Sequence, residues 1–313
     1  MTKASAAGKV ILLGEHAVVY GRPAIAVPVS DVRATAEVTP LAGDVGVLIV
    51  AEDLGQSYRL DEPCETDAAR ALRATVRNTL QHLGVQAETQ ALRIVVHSQV
   101  PIARGMGSGT AVATALVRAL TKHYGRHLTP RTVSDLVFRT EVILHGTPSG
   151  IDNTVVAFEK PVHFTKGQRA HILEVRGEFI LLIADTGIRS KTRDAVEQVR
   201  RAWRADPGRY ERLFDRIGAI VEEGRRAIIA GQVGDLGHLM HRNQLLLRDL
   251  GVSSPELDRL VRAAESAGAK GAKLSGGGKG GCMIALVDDG TRAEVLSSLL
   301  SAGASSVITT PVR

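Results

Sequence analysis

Three titratable side chains lie close together near the start of the chain. Lys9 opens an apolar run, Lys9 to Leu13, that is predicted to be a buried strand, and Glu15 and His16 follow it directly. Taken one at a time, these residues fit a solvated strand end and a turn. Together, in a short segment flanked by glycines, they favour a polar site over a structural edge.

Two carboxylates in the middle of the chain are candidates for proton transfer and metal binding. Glu141 lies at the edge of the apolar face of a helix predicted to begin at Thr129 and Pro130 and to end at Gly146. Asp152 lies in the polar loop that follows. A helix end and a chain reversal would bring both to one pocket, where one would hold a divalent cation and the other would accept a proton or orient a hydroxyl. An Asx-turn is the structural alternative for Asp152.

A glycine-rich loop is the candidate anion site. Gly105, Gly107 and Gly109 alternate between a predicted strand, Ala91 to Ser98, and an amphipathic helix. Backbone N–H groups in such a loop converge on one spot, and the helix adds the positive end of its dipole, so the expected guest is an anion such as phosphate. Neither the Walker A pattern nor the dinucleotide fingerprint fits, because Thr110 stands where they need Lys or Gly. A glycine-rich turn without a ligand is the alternative.

A second glycine cluster runs from Lys273 to Cys282. Gly276, Gly278 and Gly281 formally match a dinucleotide-binding pattern, but a predicted helix precedes them and a predicted strand follows, which reverses the order of that unit. The cluster is therefore predicted to be a backbone turn that packs against the first glycine loop or its ligand. Lys279 within it is either a second phosphate contact or a solvated lysine.

The elements that must position these groups alternate between strands and helices. Further strands are predicted at Ala24 to Val29, Val32 to Val38, Val45 to Ala51, Thr154 to Phe158, Phe179 to Ala184, Cys282 to Val287 and Val307 to Thr310. Further helices are predicted after a Thr66 or Asp67 cap, after a Ser253 or Ser254 cap, and over Asp194 to Arg204, Tyr210 to Ala230, Val233 to Leu250 and Arg292 to Ser301.

Composition is that of an ordinary globular protein. With 313 residues the chain is long enough for two medium-sized cores. Aromatic residues make up only 3%, which argues against single-stranded nucleic acid binding, and the net charge of +6 also suits an enzyme with anionic substrates. Cys64 and Cys282 are expected to be reduced thiols of a cytosolic protein. No segment reads as a signal peptide or a membrane span.

Three segments in order resemble the superfamily of small-molecule kinases named for galactokinase, homoserine kinase, mevalonate kinase and phosphomevalonate kinase (GHMP kinases). They are GKVILLGEHAVVYG (residues 8–21), PIARGMGSGTA (101–111) and KLSGGGKGGCMIAL (273–286), so the resemblance covers nearly the whole chain. Within the superfamily, GEHAVVYG, HGTPSGIDN (145–153) and GVSSPELD (251–258) resemble its mevalonate kinase family.

The resemblance implies an α+β fold of two domains. Residues 1–168 would form an N-terminal domain like the second domain of ribosomal protein S5, and residues 169–313 a ferredoxin-like C-terminal domain. It also implies ATP-dependent phosphorylation of the primary hydroxyl of mevalonate, with Mg²⁺ as cofactor and ATP as co-substrate. The implied setting is the cytoplasm, with small-molecule substrates, no nucleic acid or membrane partner, and a homodimer as a compatible assembly.

The resemblance also assigns roles to individual residues. Lys9 and Asp152 would flank the attacking hydroxyl, Glu15 and His16 would line the mevalonate pocket, and Thr192, in the turn from Arg189, would approach it. Glu141 would bind Mg²⁺. The implied ATP contacts are Pro101, Ile102, Ala103, Arg104, Gly105, Met106, Gly107, Ser108, Gly109, Thr110 and Ala111.

One position departs from the superfamily pattern. Members often carry a Ser-Ser pair where this chain has Ser108 and Gly109, and the second hydroxyl of that pair is the usual magnesium ligand. Its absence leaves Glu141, Ser108 or water to complete the magnesium shell.

Three other functions remain open from the sequence. One is another kinase of the superfamily that acts on phosphomevalonate, on the 3-hydroxyl of mevalonate, on homoserine or on a sugar. Another is a ligand sensor of the same fold without turnover, which the joint presence of Lys9, Glu141 and Asp152 disfavours. The third is a nucleic-acid binder, which rests on the net positive charge alone.

Overall fold

The computed structural model of the chain describes residues 1–41, 45–63, 66–145, 148–189 and 192–313, without the side chains of residues 144 and 145. These residues form two units. The first unit comprises Met1–Gly8, Val32–Pro101 and Gly107–Glu159, and the second comprises Lys9–Asp31, Ile102–Met106 and Lys160–Arg313.

The first unit contains strands of a mixed sheet. The strands are β1 (Thr2–Leu13) and β2 (Ala24–Pro40), which contribute to both units, and β3 (Gly46–Ala51), β4 (Gln56–Arg59) and β5 (Ala91–Ser98). Strands β4, β3, β5 and β2 are paired in that order, and β1 pairs with β2. Strand β3 is parallel to β5, whereas β4 with β3 and β5 with β2 are antiparallel. The alternation on β3 and β5 is that of strands with one face on a core.

Four α-helices lie in the described part of the first unit. They are α1 (Asp67–His82), α2 (Ser108–His123), α3 (Pro130–His145) and α4 (Ile151–Phe158), and α2, α3 and α4 pack on one another. Thr66 caps α1 and Thr129 caps α3, each by accepting a backbone N–H three residues ahead at 3.2 Å, as predicted. The predicted terminator of α3, Gly146, lies outside the described residues.

The predicted strand from Thr154 to Phe158 is wrong, because these residues belong to α4. The β-branched residues there favour a strand by propensity alone. Ile151 and Val155 are instead buried one helical turn apart, on a helix that packs against α3, so tertiary packing overrides the local preference.

The second unit contains a four-stranded antiparallel sheet. It is formed by β8 (Phe179–Asp185), β9 (Gly271–Ser275), β10 (Cys282–Val287) and β11 (Ser306–Val312), in the order β11-β8-β10-β9. With helices between β8 and β9 and between β10 and β11, this is the ferredoxin-like succession that the resemblance implies. Strand β9 was not predicted, because its five residues are all buried and show no alternation.

Helices and short strands make up the rest of the second unit. The helices α5 (Thr192–Ala205), α6 (Pro207–Ala230), α7 (Val233–Asp249), α8 (Pro255–Ser266) and α9 (Arg292–Ser301) confirm the predicted helices to within a few residues. Strand β6 (Val162–Phe164) pairs antiparallel with the first residues of β2, and β7 (His171–Ile172) pairs antiparallel with β6. The two strands predicted between Ala24 and Val38 are one continuous strand, β2. None of the described helices is both long and apolar enough to cross a bilayer.

Candidate active site

Lys9 lies inside the second unit beside the start of the glycine loop. Its side chain is almost fully buried, and its backbone N–H donates to the Met106 carbonyl at 3.0 Å. The same strand continues to Ile11, whose N–H and C=O both bond to the Ser275 hydroxyl at 3.0 Å. Strand β1 is thus bonded to both glycine segments, and both bonds help to fix the position of Lys9.

The turn after β1 requires glycine and holds His16 in an uncommon conformation. Gly14 has a φ of +102°, and a Cβ there would lie 2.6 Å from the Cα of Ala24. Its N–H donates to Asn243 Oδ1 at 3.2 Å. His16 has a φ of 61° and donates from Nε2 to the Gly277 carbonyl at 3.0 Å. Burial lowers the pKa of His16 to about 4, so the imidazole is neutral at pH 7.

Glu15 forms an ion pair with Lys273, and neither side chain has any exposed surface. Burial raises the pKa of the Glu15 carboxyl, although the Lys273 charge opposes that shift, and burial lowers the pKa of Lys273. The Lys273 Nζ also donates to the Leu274 carbonyl at 2.6 Å. The sequence analysis did not single out Lys273. The available signal was a lysine within a run of apolar and small residues, because a buried lysine needs a carboxylate partner.

The first half of the glycine loop is tied to the end of β8. Arg104 Nε pairs with Asp185 Oδ2 at 2.9 Å, and the two side chains are only 17% and 10% exposed. Asp185 Oδ1 also accepts the Gly187 N–H at 2.8 Å. The Arg104 guanidinium is therefore paired with Asp185, a carboxylate that the sequence analysis did not single out.

The second glycine cluster forms the turn between β9 and β10. A Cβ on Gly105 would lie 3.4 Å from the Ser275 carbonyl oxygen and 3.8 Å from the Gly276 Cα, so the predicted packing of the two glycine segments is confirmed. A Cβ on Gly278, which has a φ of +73°, would lie 2.0 Å from the Val252 carbonyl oxygen. Lys279 has an exposed side chain. The turn depends on glycine for close backbone approach.

Thr192 lies next to the turn that holds His16. A Cβ added to Gly277 would lie 3.0 Å from the Thr192 Cα, and the Gly277 carbonyl is the acceptor for His16. The structure therefore gathers Glu15, His16 and Thr192, the predicted acceptor-pocket residues, around one turn of the second unit. Ser190 and Lys191 of the predicted basic turn lie outside the described residues.

The N-terminus of α2, in the first unit, lies beside a buried carboxylate. Ser108 opens the helix, and its hydroxyl lies 3.3 Å from the Ser98 hydroxyl. Thr110 Oγ1 donates to Glu141 Oε1 at 2.7 Å, and both side chains are buried. No acidic residue occupies the first turn of α2, so the positive end of the helix dipole is available to phosphate.

Asp152 lies in the first turn of α4 and is half-buried. The next residue, Asn153, donates from Nδ2 to the carbonyl and hydroxyl of Ser134 at 3.1 and 2.9 Å, which joins α4 to α3. Because α2, α3 and α4 pack together, Ser108, Glu141 and Asp152 come from three neighbouring helices of the first unit.

The two residues predicted to bind a cation, Glu141 and Ser108, offer oxygen donors, which suit Mg²⁺ better than a transition metal. No three His, Cys, Asp or Glu side chains group as metal ligands in the part of the chain that the structure describes. Mg²⁺ needs only one or two carboxylates, because substrate phosphates and water complete its shell. Glu141 and the hydroxyl of Ser108 therefore fit this ion.

Cys282 is not a candidate nucleophile. Its side chain is 1% exposed, and burial raises the pKa of the thiol to about 12. The thiolate is the reactive form, so this cysteine is structural at neutral pH. Cys64 lies outside the described residues.

Comparison with known protein families finds two matches along the chain. Residues 69–160 match the GHMP kinases N terminal domain, and residues 225–305 match the GHMP kinases C terminal domain.

Individual relatives match over nearly the full length. The chain is 34% identical to the mevalonate kinase of Thermococcus sibiricus over 98% of this chain and 95% of the relative. The crystal structure of L. major mevalonate kinase in complex with R-mevalonate matches with a TM-score of 0.85 and 28% identity, covering 100% of this chain and 96% of that one. The Methanococcus jannaschii mevalonate kinase structure matches with a TM-score of 0.84 and 25% identity, covering 99% and 96%. The chain therefore belongs to the GHMP kinases, within their mevalonate kinase family.

Proposed function

We propose that the chain uses ATP to phosphorylate the primary hydroxyl of (R)-mevalonate, giving 5-phosphomevalonate and ADP in the mevalonate pathway of isoprenoid biosynthesis. The observation that carries this proposal is the similarity to mevalonate kinases over 98% of the chain. A match of that extent spans the three family segments at residues 8–21, 101–111 and 273–286. The buried Glu15 and His16 of the second unit and the first turn of α2 in the first unit, which is free of acidic residues, agree with it.

Asp152 and Lys9 are assigned to the reacting hydroxyl. A primary alcohol is a poor nucleophile at neutral pH, so a carboxylate within hydrogen-bond reach accepts its proton as the new P–O bond forms. Lys9 offsets the charge on the oxygen and on the transferred phosphoryl group. The assignment is supported by the position of each residue in its family segment and, for Lys9, by the backbone bond to Met106.

His16, Glu15 and Thr192 are assigned to binding the acceptor. Their arrangement around Gly277 supports this role. Neutral imidazole and carboxylate oxygens suit a polar molecule with hydroxyl groups. Orientation matters because phosphoryl transfer depends mainly on the positioning of the reactants.

The glycine loop and the α2 N-terminus are assigned to the triphosphate of ATP. Residues 101–111 would supply backbone N–H groups, and the helix dipole would favour the bound negative charge. Glu141 and Ser108 would hold Mg²⁺, which when bound neutralises charge on the phosphates. The Thr110 hydroxyl fixes the Glu141 carboxylate for this task.

Domain boundaries, location and assembly complete the proposal. We assign residues 1–168 and 169–313 to two domains, place the enzyme in the cytoplasm, and expect a homodimer by family likeness. Limited proteolysis and size-exclusion chromatography with light scattering test the boundary and the assembly.

An alcohol-panel kinase assay tests the function. ADP release is measured with mevalonate, phosphomevalonate, homoserine and galactose, for the wild type and Asp152→Ala side by side. We expect release with mevalonate alone, with ³¹P NMR showing the phosphate on the CH₂–O carbon. Faster release with another alcohol, or a phosphate on the tertiary 3-hydroxyl, identifies a sister kinase. Mevalonate binding by calorimetry without ADP release identifies a sensor.

A further inference from the structure

Lys273 is a buried cation whose carboxylate partner, within the described part of the chain, is Glu15. It contacts Glu15 through Nζ, and both side chains have no exposed surface. A buried ion pair is weak grounds for stability, because desolvation of the charges often outweighs their attraction. Stability alone therefore does not explain why a carboxylate is held at this point.

The segment Gly14 to His16 is held at three points. Asn243 Oδ1 accepts the Gly14 N–H, Lys273 holds one Glu15 oxygen, and the Gly277 carbonyl accepts from His16 Nε2. These contacts orient both functional side chains from outside their own segment.

Two buried atoms of this segment stay without a hydrogen-bond partner among the described residues. They are Glu15 Oε2 and His16 Nδ1. Because His16 Nε2 carries the proton that it donates to the Gly277 carbonyl, Nδ1 of the neutral ring is an acceptor. A carboxylate oxygen is an acceptor as well. Both atoms therefore call for donors, and the common donor on a small sugar-like or hydroxy acid molecule is a hydroxyl.

We propose that Lys273 is a positioning residue of the acceptor site. By holding one oxygen of Glu15, it leaves the other oxygen and His16 Nδ1 as two hydrogen-bond acceptors, and a substrate hydroxyl donates its one O–H to either of them. The inference rests on the proposed function and refines it. For mevalonate it assigns the 3-hydroxyl, and not the carboxylate, to Glu15 Oε2 and His16 Nδ1, because a carboxylate at these two atoms would meet two acceptors and the like charge of Glu15.

Kinetics of charge-matched variants test the positioning role. Lys273→Met removes one charge of the buried pair. The double variant Glu15→Gln with Lys273→Met removes both charges, so it keeps the buried site neutral and serves if the single variant does not fold. Lys270→Met is the control, because Lys270 pairs with Asp288 in an exposed ion pair just before β9. Thermal melting verifies that each variant is folded.

The expected result is a selective loss of acceptor affinity. The KM for mevalonate rises at least about tenfold in the Lys273 variants, the factor expected for a lost hydrogen bond to a charged group, while the KM for ATP stays within about twofold. Lys270→Met keeps both values. An unchanged KM for mevalonate in a folded Lys273 variant overturns the positioning role.

An analogue of mevalonate without its 3-hydroxyl tests which group of the acceptor is recognised. The wild type should lose at least about tenfold in kcat/KM with this analogue, whereas the double variant should lose less than about threefold. Equal losses in both proteins overturn the assignment of the hydroxyl. Absence of wild-type turnover with mevalonate itself is a different result, because it removes the proposed function and with it the basis of this inference.

Discussion

Thr110 Oγ1 donates a hydrogen bond to Glu141 Oε1 at 2.7 Å, and each side chain is only 2% exposed. The bond joins the first turn of α2 to the C-terminal half of α3. It therefore couples the proposed phosphate site to the proposed magnesium ligand.

Thr110→Val should weaken both stability and magnesium binding. Valine keeps the shape of threonine and removes the donor, so the free energy of unfolding should fall by about 1–3 kcal/mol. The Mg²⁺ concentration for half-maximal activity should rise several-fold, since the carboxylate loses an orienting bond. Urea unfolding and a magnesium titration measure the two effects.

Thr114→Val is the matched control for this change. Thr114 lies four residues along the same helix, and its buried hydroxyl makes no hydrogen bond to the described residues. Removing it should leave stability unchanged or raise it, with no effect on the magnesium titration. Equal losses in the two variants would refute the role given to the Thr110 bond.

Asp152→Ala and Lys9→Ala should each lower kcat by about two or more orders of magnitude, in line with general acid–base and charge-stabilisation effects. Steady-state kinetics with mevalonate and ATP measure the loss. Asp135→Ala is the control, because Asp135 lies on the exposed face of α3 and pairs only with Arg131 in the described structure. Near-normal turnover in both site variants would remove them from the reaction.

Breaking the Arg104 and Asp185 pair should reveal strong coupling. Both side chains are largely buried, so a double-mutant cycle with Arg104→Met and Asp185→Asn should give a coupling energy on the order of 1–3 kcal/mol in urea unfolding. Both variants should raise the KM for ATP, because the pair anchors the phosphate loop.

The exposed pair Arg131 and Asp135 provides the comparison for that cycle. Its side chains are 64% and 61% exposed, and it spans one helical turn of α3. Such pairs couple by about 0.3–0.5 kcal/mol. A coupling of the same small size between Arg104 and Asp185 would show that the loop is not anchored by this contact.

His16 should make stability depend on pH between about 6.5 and 4. Burial lowers the pKa of the folded protein's His16 to about 4, whereas the ordinary value is 6.5, so the unfolded chain binds more protons in this range. The contribution is therefore fully present above pH 6.5 and is lost as the pH falls towards 4, by about 3 kcal/mol in all.

Urea unfolding of the wild type and His16→Asn at several pH values measures this contribution. The variant should lose less stability than the wild type on acidification from pH 6.5 to 4. Because Glu15 and Lys273 are present in both proteins, the difference between the two curves reports His16. Parallel curves would contradict the low pKa.

Caps and single strands were predicted correctly because residues close together in the sequence determine them. The caps at Thr66 and Thr129 depend on residues three positions apart, and the strand at Ala91–Ser98 shows its own alternation. The glycine loop before α2 was predicted from the spacing of its glycines alone. The family segments likewise identified Lys9, Glu15, His16, Glu141 and Asp152 as site candidates, although their joint action stays a prediction.

The sequence by itself determined the class of fold, the family and most helix boundaries, because periodicity, capping and motif spacing act within a few residues. Only the tertiary structure decided that residues 154–158 are helical, that β9 exists, and that Lys273 pairs with Glu15 across 258 positions of the chain. Partners so far apart leave no local pattern. They meet because a buried charge requires an opposite charge, and the fold alone determines which one is within reach.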